Sequence, residues 1–315
     1  MKLVFSGTPE LALPPLEALL RAGHELLLVI TQPDRPKGRS GAPRPSPVKQ
    51  AALAHGLPVH QPESINDPAT VDKLVALAPD VLVVAAFGQI LGRRVIEAPR
   101  LACVNVHASL LPKYRGAAPI PAAILNGDAE TGVTIQKVAR KLDAGDIIRQ
   151  ASIAIDPDDT AGSLAEKLAR LGAHLLVEAL ADLETGTARF TPQDHSQATY
   201  APMMTKDDGL IDWSQPAAGI ERFVRAMTPW PQAFTFLPRG GTSLRLNIAR
   251  VSAAGGVPAG EPGEVVEIAR DGFMVKAGLG SVVVRELQPA GKRQMTAAEF
   301  VRGYRLARGE RLAEA

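Results

Sequence analysis

The chain has 315 residues, 46% of them hydrophobic, with 35 basic side chains against 33 acidic ones and a single cysteine, Cys103. That length and apolar content suffice for two domains with buried cores and exclude a disordered or fibrous chain. A formal charge of +2 neither demands nor forbids a polyanionic partner, and one cysteine excludes an internal disulfide framework or a cysteine-rich zinc site. Residues 1–190 carry 20 basic and 20 acidic side chains and residues 206–315 carry 15 and 12, so the basic excess lies in the second part. The opening Met1-Lys2-Leu3-Val4-Phe5-Ser6-Gly7 has no signal-peptide pattern, and no apolar run reaches the ~18 residues of a membrane span. A cytoplasmic protein with no membrane partner is expected.

The first half alternates strand-like and helix-like segments. Lys2 to Ser6 is an apolar strand, Glu10 to Ala22 an amphipathic helix and Leu26 to Thr31 a fully apolar strand. A proline-rich basic loop, Gln32 to Pro47, leads into a helix from Pro47 to His55. Strands follow at Pro58 to Gln61, Asp80 to Ala86 and Leu101 to Val106, with a helix from Pro68 to Leu77 between the first two. Continuous apolar runs alternating with helices predict a mostly parallel sheet covered on both faces. Pro119 to Leu125 reads as a short helix, Thr131 to Val138 and Ile147 to Ile155 as strands, and Thr160 to Leu183 as a long helix. The polar stretch Thr185 to Thr205, with Pro192 and Pro202, is expected to be a linker.

Beyond it the grammar changes. A helix from Pro216 to Ala226 precedes Thr228-Pro229-Trp230-Pro231, and then come short strands with Gly and Pro turns. These are Phe234 to Leu237, Leu244 to Arg250, Gly263 to Ile268, Phe273 to Ala277 and Ser281 to Leu287, which suit a small five-stranded barrel, followed by a helix from Thr296 to Ala307.

The chemistry concentrates after the strand ending at Val106. In an open parallel sheet ligands bind where strands end, and Asn105 and His107, two apart, point to one side of an extended strand. An amide beside an imidazole can polarise a carbonyl and move a proton. Ser109-Leu110-Leu111-Pro112 and Lys113-Tyr114-Arg115-Gly116 follow at once as a site wall, and the turn Asp143-Ala144-Gly145-Asp146 offers carboxylates to the same edge. The junction Ser6-Gly7-Thr8-Pro9-Glu10 lacks the three glycines of a dinucleotide fingerprint, and Thr8 as a helix cap with Pro9 in the first turn accounts for it. His24, His55, His60, His174 and His195 are scattered without ligand spacing, so no metal is expected. Cys103, inside an apolar strand, reads as a packing residue.

Asn105-Val106-His107, Ser109-Leu110-Leu111-Pro112 and Leu142-Asp143-Ala144-Gly145-Asp146 together resemble the signature of formyltransferases that use 10-formyltetrahydrofolate. Phe5-Ser6-Gly7-Thr8-Pro9, Thr31-Gln32-Pro33-Asp34-Arg35-Pro36, Arg115-Gly116-Ala117-Ala118-Pro119-Ile120, Ile211-Asp212-Trp213 and Leu287-Gln288-Pro289-Ala290-Gly291-Lys292 extend the resemblance over nearly the whole chain. They point to the branch of the family that formylates methionyl-initiator-tRNA. The resemblance implies an α/β fold with a Rossmann-like, mostly parallel sheet domain (1–189), a linker (190–205) and a small OB-like β-barrel that binds tRNA (206–315). It implies a monomer with two substrates, 10-formyltetrahydrofolate and initiator methionyl-tRNA.

It also implies roles. Asn105, His107 and Asp143 form the catalytic group: the methionyl amine attacks the formyl carbon, Asn105 donates to the resulting oxyanion, and Asp143 orients His107. A well-placed oxyanion donor contributes about 2.7–4 kcal/mol. Whether His107 moves the proton or stabilises the oxyanion stays open. Ser109, Leu110, Leu111 and Pro112 contact folate. The loop from Thr31 to Gln50 holds Arg35, Lys37, Arg39, Arg44 and Lys49 against Asp34, and in the family its counterpart enters the acceptor stem, which makes Arg35, Lys37 and Arg39 the expected tRNA contacts. Ser40-Gly41-Ala42-Pro43 stands where relatives often carry further lysines, which leaves Arg39 the larger share. Arg239, Arg245, Arg250, Lys292 and Arg293 are the barrel's expected contributors to backbone affinity, and Trp213 and Trp230 are expected as core or interdomain anchors rather than base-stacking platforms.

Two alternatives remain within enzymes, formylation of another amine such as a nucleotide sugar and hydrolysis of the formyl-folate. The basic loop and second domain weigh against both. A non-enzymatic RNA-binding module on a degenerate Rossmann-like scaffold is a third, and the intact Asn105, His107 and Asp143 weigh against it.

Overall fold

The continuous apolar runs of the first half become the strands of one sheet. The computed structural model describes residues 1–36, 43–256 and 258–313. In chain order it contains β1 (Lys2–Gly7), α1 (Leu13–Arg21), β2 (Glu25–Ile30), β3 (Arg35–Pro36), β4 (Pro43–Arg44), α2 (Pro47–Ala54), β5 (Val59–His60) and α3 (Pro68–Leu77). Then follow β6 (Val81–Ala85), α4 (Arg93–Ile96), β7 (Ala102–His107), β8 (Arg115–Gly116), α5 (Pro119–Asn126), β9 (Glu130–Lys137), β10 (Ile147–Ala154), α6 (Ala161–Thr185) and β11 (Tyr200–Ala201). The chain divides into two units, of which the first comprises Met1–Pro119, Glu130–Ala154 and Leu164–Pro202.

Its seven-stranded sheet has the order β10-β9-β7-β6-β1-β2-β5. Strands β5, β2, β1, β6 and β7 are parallel, while β9 joins β7, and β10 joins β9, antiparallel. Every residue of β6 is buried, which is what a strand covered on both faces requires. Val4, Leu28, Leu82, Val84 and Cys103 pack into one core cluster with Ile65, Val71 and Leu74. Burial pushes the Cys103 thiol far up, so it packs rather than reacts.

Three local expectations are corrected. The helix expected from Glu10 begins as a single 3-10 turn, Glu10–Ala12, and α1 starts at Leu13 with Pro14 and Pro15 in its first turn, where their missing N–H groups cost nothing. Thr8 does not cap it: its hydroxyl donates to the Phe87 carbonyl (3.2 Å) and accepts from the Gln32 amide (3.4 Å), tying together the chain beyond β1, β2 and β6. The stretch 190–205 is bonded into the first unit as far as Pro202: Thr191 and Ile147 exchange backbone hydrogen bonds at 2.8 and 2.9 Å, and β11 pairs with β8.

The second unit takes Ile120–Ala129, Ile155–Ser163 and the chain from Met203 onward. It contains α7 (Ala217–Ala226), β12 (Ala233–Arg239), β13 (Thr242–Ala254), β14 (Val265–Ala269), β15 (Gly272–Lys276), β16 (Ser281–Pro289), β17 (Met295–Thr296) and α8 (Ala297–Tyr304). The antiparallel order is β12-β13-β16-β15-β14, with β17 added to β16. Edge strands β12 and β14 are not left open. Phe236 and Ala313 exchange backbone bonds at 3.0 and 2.9 Å, the Val265 amide donates to the Glu310 carbonyl (2.8 Å), and the Leu312 amide donates to the Gly263 carbonyl (2.8 Å). Residues 310–313 thus bridge the two edges and close the sheet, a device the strand pattern did not predict. Trp213 is buried and donates from Nε1 to Thr235 Oγ1 (3.1 Å), whereas Trp230 is 52% exposed and anchors no core. Among the described residues no helix is long and apolar enough to cross a membrane.

Candidate active site

Strand β7 carries Asn105 and His107 to the edge where β1, β6 and β7 all end, Asn105 in register with Val84 of β6 and His107 with Thr134 of β9. Alternation puts both side chains on one face, and both reach the same carboxylate. Asn105 Nδ2 donates to Asp143 Oδ1 at 3.4 Å, and His107 Nδ1 lies 3.7 Å from Asp143 Oδ2. The three residues that the sequence singled out, 36 or more positions apart in the case of Asp143, therefore meet.

The histidine's orientation follows from its other nitrogen. His107 is buried, and Nε2 lies 2.9 Å from the Tyr114 carbonyl oxygen. A carbonyl only accepts, so Nε2 carries a proton, and in the neutral ring the lone pair falls on Nδ1, the nitrogen facing Asp143. Tyr114 holds that carbonyl in place from a left-handed backbone conformation, φ 56°.

Asp143 is held more closely than its partners. It also sits at positive φ, 46°. Oδ2 accepts from the Gly116 amide (2.8 Å) and Oδ1 from Gln136 Nε2 (2.9 Å). Behind the turn stand Gln193, whose Nε2 donates to the carbonyls of Asp143 (2.9 Å) and Gly145 (2.7 Å), and Arg115, which is fully buried and donates to Gln193 Oε1. Sequence reading missed Gln136 and Gln193 and took Arg115 only as part of a site wall.

The segment expected to contact folate is divided in its exposure. Ser109 is buried, its hydroxyl donating to the Lys113 carbonyl (2.7 Å), and Leu111 is buried with its amide donating to Thr134 Oγ1 (3.1 Å). Leu110 and Pro112 are the half-buried members that have surface to offer a ligand. Strand β6 ends at the same edge, and Ile90, five residues beyond its last residue, is 81% exposed.

Of the expected tRNA contacts, Arg35 lies in the exposed two-strand ribbon β3–β4, paired with Arg44 and bonded to Glu63 Oε2 (2.9 Å). Lys37 and Arg39 lie outside the described residues. Lys49 is committed elsewhere: it binds Asp34 at 2.6 Å and, with Gln61, holds that carboxyl below its ordinary range. In the second unit Arg239, Arg250 and Arg293 each meet a carboxylate, Glu310, Glu286 and Glu299, and Arg245 lies over the Phe234 ring at 3.6 Å. Lys292 is exposed. Among the described residues no three His, Cys, Asp or Glu side chains gather as a metal site would need.

A family model described as formyl transferase matches residues 1–180, and one described as formyl transferase, C-terminal domain, matches residues 203–305. The chain belongs to the formyl transferase family. Within that family it is similar to the methionyl-tRNA formyltransferase of Moorella thermoacetica, 47% identical over 98% of both chains. It is likewise similar to that of Geobacter sulfurreducens, 45% identical over 100% of this chain and 98% of the relative. Among solved structures, the N-formyltransferase of Helicobacter canadensis, in complex with folinic acid and dTDP-3-aminofucose, superposes with a TM-score of 0.67 over 90% of this chain and 98% of that one. Identity there is 20%, so that likeness speaks for the fold alone.

Proposed function

We propose that this formyl transferase moves the formyl group of 10-formyltetrahydrofolate to the free α-amine of methionyl-initiator-tRNA. The observation that carries the reading is the meeting of Asn105, His107 and Asp143 at one strand end, in a chain that aligns along its whole length with methionyl-tRNA formyltransferases.

The chemistry follows from the atoms. The amine nitrogen bonds to the formyl carbon and the carbonyl oxygen becomes an oxyanion. One hydrogen of Asn105 Nδ2 is directed to Asp143, and the other is free to donate to that oxygen. The amine sheds a proton as it attacks. His107 Nδ1, the unprotonated nitrogen of the neutral ring, takes it, with Asp143 Oδ2 beside the cation that forms. The proton then passes to N10 of the folate as the carbon–N10 bond breaks and the carbonyl re-forms, so no covalent enzyme intermediate is needed. The geometry supports proton movement over oxyanion stabilisation as the role of His107: its Nε2 is already engaged by the Tyr114 carbonyl, and in this tautomer Nδ1 has no hydrogen to donate to an oxyanion. Leu110, Pro112 and Ile90 supply apolar surface for the folate, and Arg35, Lys37 and Arg39 supply cations for the acceptor end of the tRNA.

The test is direct. Purified protein with 10-formyltetrahydrofolate and methionyl-initiator-tRNA should yield formylmethionyl-tRNA, while a nucleotide amino sugar in its place should yield no formyl amide. Folate hydrolysis without formylated tRNA would overturn the reading. For the loop, Arg39→Ala should raise the KM for tRNA by about tenfold, the loss of one desolvated phosphate or base contact, and leave kcat unchanged. An unaltered KM would remove Arg39 from the tRNA interface.

A further inference from the structure

The groups that hold Asp143 form a chain of hydrogen bonds with a single polarity. Arg115 is wholly buried, and its Nε and Nη2 both point at Gln193 Oε1, at 3.2 and 2.6 Å, with Nη2 also 2.9 Å from His195 Nδ1. A guanidinium can only donate, so the Gln193 atom that faces it must be the oxygen. The NH2 end of that amide is thereby forced toward the catalytic turn. There it donates to the carbonyls of Asp143 and Gly145 at 2.9 and 2.7 Å and, more weakly, to Gln136 Oε1 at 3.4 Å. Gln136 is oriented in its turn: its oxygen faces Gln193 and its Nε2 donates to Asp143 Oδ1 at 2.9 Å. Every link runs from donor to acceptor, beginning at Arg115 and ending on the Asp143 carboxylate.

The cost of the arrangement argues against simple adhesion. Arg115 is among the largest fully buried side chains, and its Nη1 has no hydrogen-bond partner among the described residues. Burying an incompletely satisfied guanidinium is unfavourable, and an apolar side chain of similar volume would hold the segment at less expense. What an apolar contact would not supply is direction. Asp143 occupies a left-handed backbone conformation, so its turn needs an external constraint to hold one geometry.

We propose that Gln193 is a positioning residue for formyl transfer: oriented by Arg115, it fixes the Asp143–Gly145 turn and so sets where the Asp143 carboxylate stands relative to Asn105 and His107. Gln193 lies beyond α6, so a segment from the end of the first unit completes a site whose reacting groups come from β7 and the turn after β9. The inference rests on the formyl-transfer reading above.

The discriminating variant is Gln193→Glu. It keeps an acceptor for Arg115 but sets a carboxylate against the two carbonyls where an NH2 group stood. In the full-length protein, kcat for formylation should fall about 10²-fold, the scale expected when a catalytic group is displaced by about 1 Å, with the KM for methionyl-tRNA unchanged. The same substitution in an Asp143→Asn background should cost less than about threefold more, because two residues acting through one carboxylate do not add. A purely structural role would lower both proteins by the same factor and would show in KM or in the fraction of active enzyme. If Gln193→Glu does not fold, Gln193→Met, which introduces no charge, is read by the same cycle. Wild-type kcat in the variant, or losses that multiply in the double variant, would overturn the role of Gln193 while formylation by the unaltered protein stands. An unaltered protein that makes no formylmethionyl-tRNA would overturn both readings.

Discussion

Replacing Asn105 by alanine is expected to lower kcat about 10²–10³-fold while leaving the KM for methionyl-tRNA within about twofold of the unaltered protein. The amide has two hydrogens at Nδ2, and Asp143 Oδ1, 3.4 Å away, engages one. The remaining hydrogen matters most once the formyl oxygen carries a negative charge, so its loss weakens binding of the transition state and not of the ground state. Asn105→Asp should be at least as severe in spite of its near-identical shape. It replaces the donor by a second carboxylate beside Asp143, which repels both that group and an oxyanion. Steady-state formylation kinetics decide the matter: a raised KM with unchanged kcat in either variant would move Asn105 from the chemistry to substrate binding.

Much of this arrangement is legible in the sequence, and the reasons differ by element. Strands β1, β2, β6 and β7 are covered on both faces, so burial writes continuous apolar runs into the chain. Short pairings such as β3 with β4, or β8 with β11, span two residues a side and leave no such mark. Asn105 and His107 are legible because a strand's period of two keeps them on one face, and Asp143 because its turn is one of the motifs that carry the chain's resemblance to the family. The Tyr114 carbonyl that fixes the tautomer of His107 is a main-chain atom, and no side-chain pattern announces it. Gln193 and Arg115 are 78 positions apart, and glutamine has neither charge nor periodicity to betray a partner at that distance. Its surroundings, polar and proline-containing, carry the composition of a linker although their backbone is bonded into the first unit. The segment that closes the expected barrel escaped for a related reason: residues 310–313 bridge two edges with a few backbone bonds, and backbone bonding is available to any sequence.

Gly145→Ala is expected to lower kcat by about 10²-fold or more, through geometry alone. Gly145 is not at positive φ, so an alanine meets no backbone strain there; the obstacle is space. A Cβ on Gly145 would stand 1.7 Å from the Lys137 carbonyl oxygen and 3.3 Å from the Ala139 amide nitrogen. Lys137 ends β9, and its backbone is fixed by the sheet, so the turn and not the strand must give way. Any such retreat carries Asp143, two residues earlier, away from Asn105 and His107, and strains the 2.7 Å bond from Gln193 to the Gly145 carbonyl. A loss of about 1–3 kcal/mol of stability should accompany it, the usual cost of overpacking. Gly186→Ala is the matched control. That glycine has φ 72° with no atom of the described residues within 4 Å of an added Cβ, so alanine there should cost about 1–2 kcal/mol of backbone strain and leave kcat unchanged. Comparable losses of thermal stability with a collapse of kcat only in Gly145→Ala would tie turnover to the placement of the Asp143 turn. Wild-type kcat in Gly145→Ala would show instead that the carboxylate tolerates displacement, and the catalytic role assigned to Asp143 would fall with it.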